Sequence, residues 1–250
     1  MQRGQFFGIE RRISKLEFTD REAALSLLRE KQGNYSEALS YAEKAKSRGH
    51  PNADILLAYA YWRRGEFEPA IASAKEAVET HPSKAANIMA LILWSRGKEK
   101  GRPDDLHSAL NWLKRCNWGD EIGQSYYHNN LANILLTTGE SSIAEAHYIH
   151  ALHLRRKYNL HELVATTYRD LGRLNFKEGR VEMSKDYLLH SLEIRRRISN
   201  AHNTAKTLLS LYNTLKLLGE DTSPTVRELL AVQPALFDKS IIDTINSLVR

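Results

Sequence analysis

The chain has 250 residues, 42% of them hydrophobic and 26% charged, with 36 basic against 30 acidic side chains and a formal charge of +6. That is the composition of an ordinary folded protein; it excludes a long disordered arm, admits one or two domains or one elongated array, and allows acidic partners or nucleic acid without requiring either. The single Cys116 excludes an internal disulfide, the start MQRGQFFGIERR lacks the apolar centre of a signal peptide, and no run approaches the roughly 18 apolar residues of a membrane span, so a cytoplasmic location is expected.

Residues 1–18 read as an amphipathic helix carrying Phe6, Phe7, Ile9, Ile13 and Leu16, either a cap or a link to another domain. After it, helical patterns stop at Gly33, Gly65, Gly139, Gly179 and Gly219, the last three 40 residues apart. Most of these glycines are followed five positions later by a small residue, Ala38, Ala70, Ala144 or Ser184. A second pair follows: Ala42 with Ala45, Ala74 with Ala77, Tyr148 with Ala151, Leu188 with Ser191. Pro51 and Pro82 mark breaks between helices.

This spacing predicts helix pairs over 19–50, 51–84, 85–118, 119–158, 159–199 and 200–233, then a capping helix over 234–250. In the third pair, SRGKEKGRPDD is expected to lengthen the turn by about five residues, with Ala109, Leu113 and Cys116 in the packing slots. In the sixth, the second helix is expected to start near Pro224. Two antiparallel helices approach closely only where a small side chain leaves room. Ala58, Ala132 and Gly172 are therefore expected to meet Ala70, Ala144 and Ser184.

The stretch ADILLAYAYWRRGEFEPAIASAKEAVETHP, with Leu57, Ala58, Tyr61, Gly65, Phe67, Ala70, Ala74, Ala77 and Pro82, resembles a tetratricopeptide repeat (TPR). So does YRDLGRLNFKEGRVEMSKDYLLHSLEIRRR, through Leu171, Gly172, Gly179, Leu188 and Leu192. The later units are similar to the longer repeats of kinesin light chains and of bacterial TPR regulators. The resemblance implies an all-α TPR solenoid, wound as a right-handed superhelix, that works as a protein–protein interaction module or scaffold without a cofactor.

By position in the repeat, the resemblance implies a groove lined by exposed residues of the first helices. These are Tyr59, Trp62 and Arg63; Met89, Leu93 and Arg96; Tyr126, Asn129, Asn133 and Leu136; Arg169, Arg173 and Phe176; and Lys206, Asn213 and Lys216. Asn129 and Asn133 offer a donor and an acceptor to a ligand backbone, and Arg169 and Arg173, one turn apart, suit a carboxylate or phosphate. An acidic or phosphorylated peptide is the sharper expectation. The plainer one is that Asn and Arg solvate a helix face or pair with Asp170, and that Trp62 packs between repeats. The pattern only loosely resembles the carboxylate clamp of some TPR proteins.

Other signals carry less. Catalysis has no motif behind it: His161-Glu162 is followed by Leu163-Val164-Ala165, not by a metalloprotease spacing, and GKEKG lacks phosphate-loop spacing. His147, His150 and His153 share a helix side, but a metal shell is not completed nearby, so no metal is expected. The clusters HLRRK and EIRRR recur at one repeat position and could form a nucleic-acid ridge, against the plainer reading that they complement the helix dipole. The alternative to a passive scaffold is a regulatory sensor whose superhelix tightens on a ligand and changes its contacts to an effector.

Overall fold

Each helix here stops where the backbone is turned back, and glycine often does the turning. At Gly139 and Gly179 the backbone is left-handed, with φ of 96° and 73°, a conformation that costs a side-chain-bearing residue and not glycine. The next N–H, of Glu140 or Arg180, then donates back to Leu135 O or Asn175 O at 2.9 Å. The computed structural model describes residues 9–249 except 11 and 199. Phe6 and Phe7 of the expected N-terminal helix lie outside the described residues; Ile13 is buried, and Ile9 and Leu16 are exposed.

The helices are α1 (Phe18–Gln32), α2 (Tyr35–Ser47), α3 (Ala53–Arg63), α4 (Phe67–Glu76), α5 (Pro82–Lys100) and α6 (Pro103–Lys114). They continue as α7 (Glu121–Thr138), α8 (Ser141–Lys157), α9 (His161–Lys177), α10 (Val181–Ile198), α11 (Ala201–Leu218), α12 (Ser223–Val232) and α13 (Lys239–Leu248). No strand occurs among the described residues. Side chains start several of them: Asn34, Asp120 and Asn200 accept from the backbone N–H three residues on, and prolines open α5 and α6. The chain divides into two compact units at Asn117/Trp118.

In the first unit α1 packs on α2, α3 on α4 and α5 on α6, and the first helices α1, α3 and α5 also touch in series. The core is rich in alanine, with Ala23, Ala38, Ala42, Ala45, Ala53 and Ala60 around Leu39, Leu56 and Leu57. Small side chains let the helix axes come close, so the backbones rather than long side chains fill the space. The third pair departs from expectation. Residues 95–100 do not lengthen the turn; they extend α5, leaving only Gly101 and Arg102 before α6. The extension holds because a Cβ on Gly97 would lie 2.9 Å from Leu106 Cδ2, so glycine admits α6, and Arg96 grips Asp105 with two bonds of 2.8 Å.

In the second unit α7 packs on α8, α9 on α10 and α11 on α12, and α7, α9 and α11 adjoin in series. Ala132, Ala144, Tyr148, Leu171 and Leu174 make one core; Leu188, Leu208, Leu211 and Leu229 make another. Burying each leucine contributes about 1.5–3 kcal/mol. The close approach expected at Gly172 is present: a Cβ there would stand 2.8 Å from Leu188 Cγ and 3.3 Å from Ser184 O. The terminal segment begins as a short 3-10 turn at Gln233–Ala235, and α13 then inserts Ile241 and Ile245 into the core of α11 and α12.

Candidate functional site

The first helices α7, α9 and α11 carry most of the residues singled out by position. Arg173, Phe176 and Asn213 are exposed and line a single cavity of about 210 Å³, whose remaining wall is Ser184, Leu188, Ser210 and Thr214. The floor is fixed by Gly172 letting α10 come near, and by the hydroxyls of Ser184 and Thr214 at 3.2 Å. Tyr126 is exposed on α7, with the Arg155 guanidinium 5.7 Å from its ring centre.

Beneath that face runs a buried polar network. Asp170 is 3% exposed; Arg169 reaches it at 3.1 Å, Arg173 at 3.7 Å, and the Asn129 amide donates to it at 3.5 Å. Arg155, on α8, donates to Asn129 Oδ1 and to Thr167 Oγ1, each at 2.6 Å, and to Leu163 O at 3.2 Å. Burial pulls the Arg155 guanidinium down to about 10, with Asp170 opposing, so it stays charged at neutral pH. Burial likewise pushes the Tyr148 phenol well up, so its hydroxyl stays protonated and donates to Asn133 Oδ1 at 2.8 Å.

The singled-out residues therefore sort by depth. Asn129 is buried and its amide oxygen is taken by Arg155. Asn133 and Arg169 are half-buried, and the Asn133 amide oxygen is taken by Tyr148. Lys206 is half-buried on α11. In the first unit, Tyr59 and Trp62 form a tilted ring pair 5.9 Å apart, and the Trp62 indole N–H donates to Ser95 of α5 at 2.8 Å. Arg63 stacks over Tyr35 and pairs with Glu30. Met89 and Leu93, read as groove positions, are core residues at 1% and 7% exposure, because α5 is packed by α3, α4 and α6.

Arg155 and Arg195, the shared residues of the two basic clusters, are 2% and 0% exposed. Arg195 donates to Glu162, Thr166 and Ser191, and Asn203 of α11 donates to the same Glu162 oxygen at 2.7 Å. Neither belongs to a surface ridge. Of the expected histidine row, His147 and His150 converge instead on His128 of α7, whose Nδ1 stands 2.9 Å from that of His147. Among the described residues no group of three or more His, Cys, Asp or Glu is placed to hold a metal ion, and no helix is long and apolar enough to cross a membrane.

Family models described as tetratricopeptide repeat match residues 30–92 and 123–197. The chain belongs to the tetratricopeptide repeat family, as its paired helices, small-residue contacts and glycine turns also require. Its fold is similar to that of a thermophilic TPR protein of Thermus thermophilus, at 20% identity over 76% of this chain and 99% of that one, TM-score 0.63. It is also similar to a Rap protein complexed with Competence and Sporulation Factor, at 14% identity over 96% of this chain and 78% of that one, TM-score 0.63. PilW, a type IV pilus biogenesis factor, matches at 17% identity over 92% and 99%, TM-score 0.56. No curated protein sequence matches the chain. At such identities the likeness concerns the fold, which is a general scaffold for protein–protein interaction.

Proposed function

We propose that the face made by α7, α9 and α11 captures an extended acidic segment of a partner protein. The observation that carries this reading is the cavity that gathers Arg173, Phe176 and Asn213. Its wall of Phe176 and Leu188 suits one apolar side chain, and Arg173 at its rim suits a carboxylate or phosphate beside it. Arg173 is 42% exposed and stands 3.7 Å from Asp170, whose nearer cation is Arg169 at 3.1 Å, so the Arg173 guanidinium can turn to a ligand without leaving Asp170 unpaired. The Asn133 and Asn213 amides would hold the peptide backbone, with Arg169, Tyr126 and Lys206 flanking; Asn129 serves from below, by orienting Arg155 and Asp170. Cys116 is the single cysteine of the sequence and cannot form a disulfide within the chain, and we place the protein in the cytoplasm on that ground.

A peptide-display selection against the full chain tests this. Enrichment of sequences with Asp or Glu next to an apolar residue is expected; enrichment of basic sequences, or none, contradicts it. A sensor reading gains from the fold likeness to a Rap protein complexed with Competence and Sporulation Factor. It predicts a fall in radius of gyration when the selected peptide is added, and an unchanged radius would leave the scaffold reading.

A further inference from the structure

Gly139, Gly179 and Gly219 are 40 residues apart, so each wall of the Arg173 cavity has a counterpart one repeat earlier. Where α10 carries Leu188, α8 carries Tyr148; where α11 carries Ser210, Asn213 and Thr214, α9 carries Asp170, Arg173 and Leu174. Tyr148 is wholly buried and packs in one core with Ala144, Leu171 and Leu174. Its hydroxyl donates to Asn133 Oδ1 at 2.8 Å, and Asn133 is the counterpart of Arg173. The phenol thus fills the space between the two helices of its own repeat and the first helix of the next.

One repeat later that space is hollow. Leu188 lacks the phenol, and Ser210, Asn213 and Thr214 are each smaller than the residue they stand for. Protein interiors are close-packed, so several shortened side chains around one point leave a void for something else to enter. The void is the cavity of about 210 Å³, open at the exposed Arg173, Phe176 and Asn213. Its hydroxyls are spent as donors: Thr214 donates to Ser210 O at 3.0 Å, and Ser210 to Lys206 O at 3.1 Å. Their oxygens can still accept, as can the Asn213 amide, and a donor is what a phenol brings.

We infer, on the reading that this face captures an acidic segment, that the cavity takes a tyrosine side chain of that segment, its ring against Phe176 and Leu188 and its hydroxyl at Ser210 or Asn213. The ligand supplies from outside the phenol that Tyr148 supplies from inside one repeat earlier. A rigid ring in a pocket is a strong anchor, because it buries much area for little lost freedom. Leucine or alanine leaves part of the volume empty, and phenylalanine brings no donor to the acceptors of the wall. Arg173, at the rim, is left for the acidic neighbour of that tyrosine.

Isothermal titration of the full chain with the peptides Asp-Glu-X-Glu-Asp, where X is Tyr, Phe, Leu or Ala, tests the inference. The Tyr peptide is expected to bind most tightly, the Phe peptide about three-fold and the Ala peptide at least about ten-fold more weakly. Leu188→Tyr copies Tyr148, plugs the cavity and should abolish the preference for Tyr over Ala. Thr214→Leu copies Leu174, narrows the same space from α11 and should reduce that preference even if the first variant does not fold. Equal affinity for the Tyr and Ala peptides, or a preference that survives both substitutions, overturns the inference and leaves the capture of an acidic segment standing. No saturable binding of any of the four up to about 5 mM overturns that capture, and the tyrosine with it.

Discussion

Arg155 of α8 donates to Asn129 Oδ1 of α7 at 2.6 Å, inside the protein, and the same guanidinium nitrogen reaches Thr167 of α9. One buried cation thus joins the two helices of one repeat to the first helix of the next. Hydrogen bonds to a buried charge are strong, and leaving their partners unpaired is costly. This fastening holds the register in which Asn129 of α7 meets Asp170 of α9.

Arg155→Ala removes the cation and takes a buried donor from Asn129 Oδ1, Thr167 Oγ1 and Leu163 O. A loss of about 3–5 kcal/mol in urea unfolding is expected. A loss below about 1 kcal/mol would mean that the network is not what joins α7, α8 and α9.

Gly172→Leu inserts a side chain where even a Cβ would press on Leu188 and Ser184. The expected cost is about 1–3 kcal/mol, read as a lower unfolding midpoint. Stability equal to wild type would show that α9 and α10 can part without loss.

His128 carries the pH dependence. Burial first, then the neighbouring His150 and His147, lower it from 6.5 to about 4. The unfolded chain takes up the proton at its ordinary value, whereas the folded chain resists it until near the lowered one. The stability present above about pH 6.5 is therefore lost progressively as pH falls towards about 4. Urea midpoints at about pH 7.5 and 5 should differ more in wild type than in His128→Gln. Equal differences would place the acid sensitivity elsewhere.

Much of this was legible in the residues. Ala132 and Ala144, or Gly172 and Ser184, announce a close helix pair because nothing larger fits, and glycine at a 40-residue interval announces repetition. The α5 extension was hidden because Gly97 and Gly101 look alike in sequence; only the first has α6 pressed against it, and only the second is left-handed, at φ 61°. Asn129 and Asn133 also look alike, one turn apart. Asn129 is consumed by an arginine that comes from another helix, a contact no local pattern records. Arg155 and Arg195 did carry a signal: each lies four residues after a packing slot, Ala151 or Ser191, and so shares the buried side of its helix. As part of RRK and RRR runs they read as surface charge.

Capture of an acidic segment depends most on Arg173, and the most direct test is the affinity of a selected acidic peptide for wild type and for Arg173→Glu, measured by fluorescence polarisation beside a thermal melt. A loss of more than about ten-fold in affinity with a nearly unchanged melting temperature is predicted, since the residue is exposed and its Asp170 contact is long. An unchanged affinity would contradict the claim that the face of α7, α9 and α11 is the binding site.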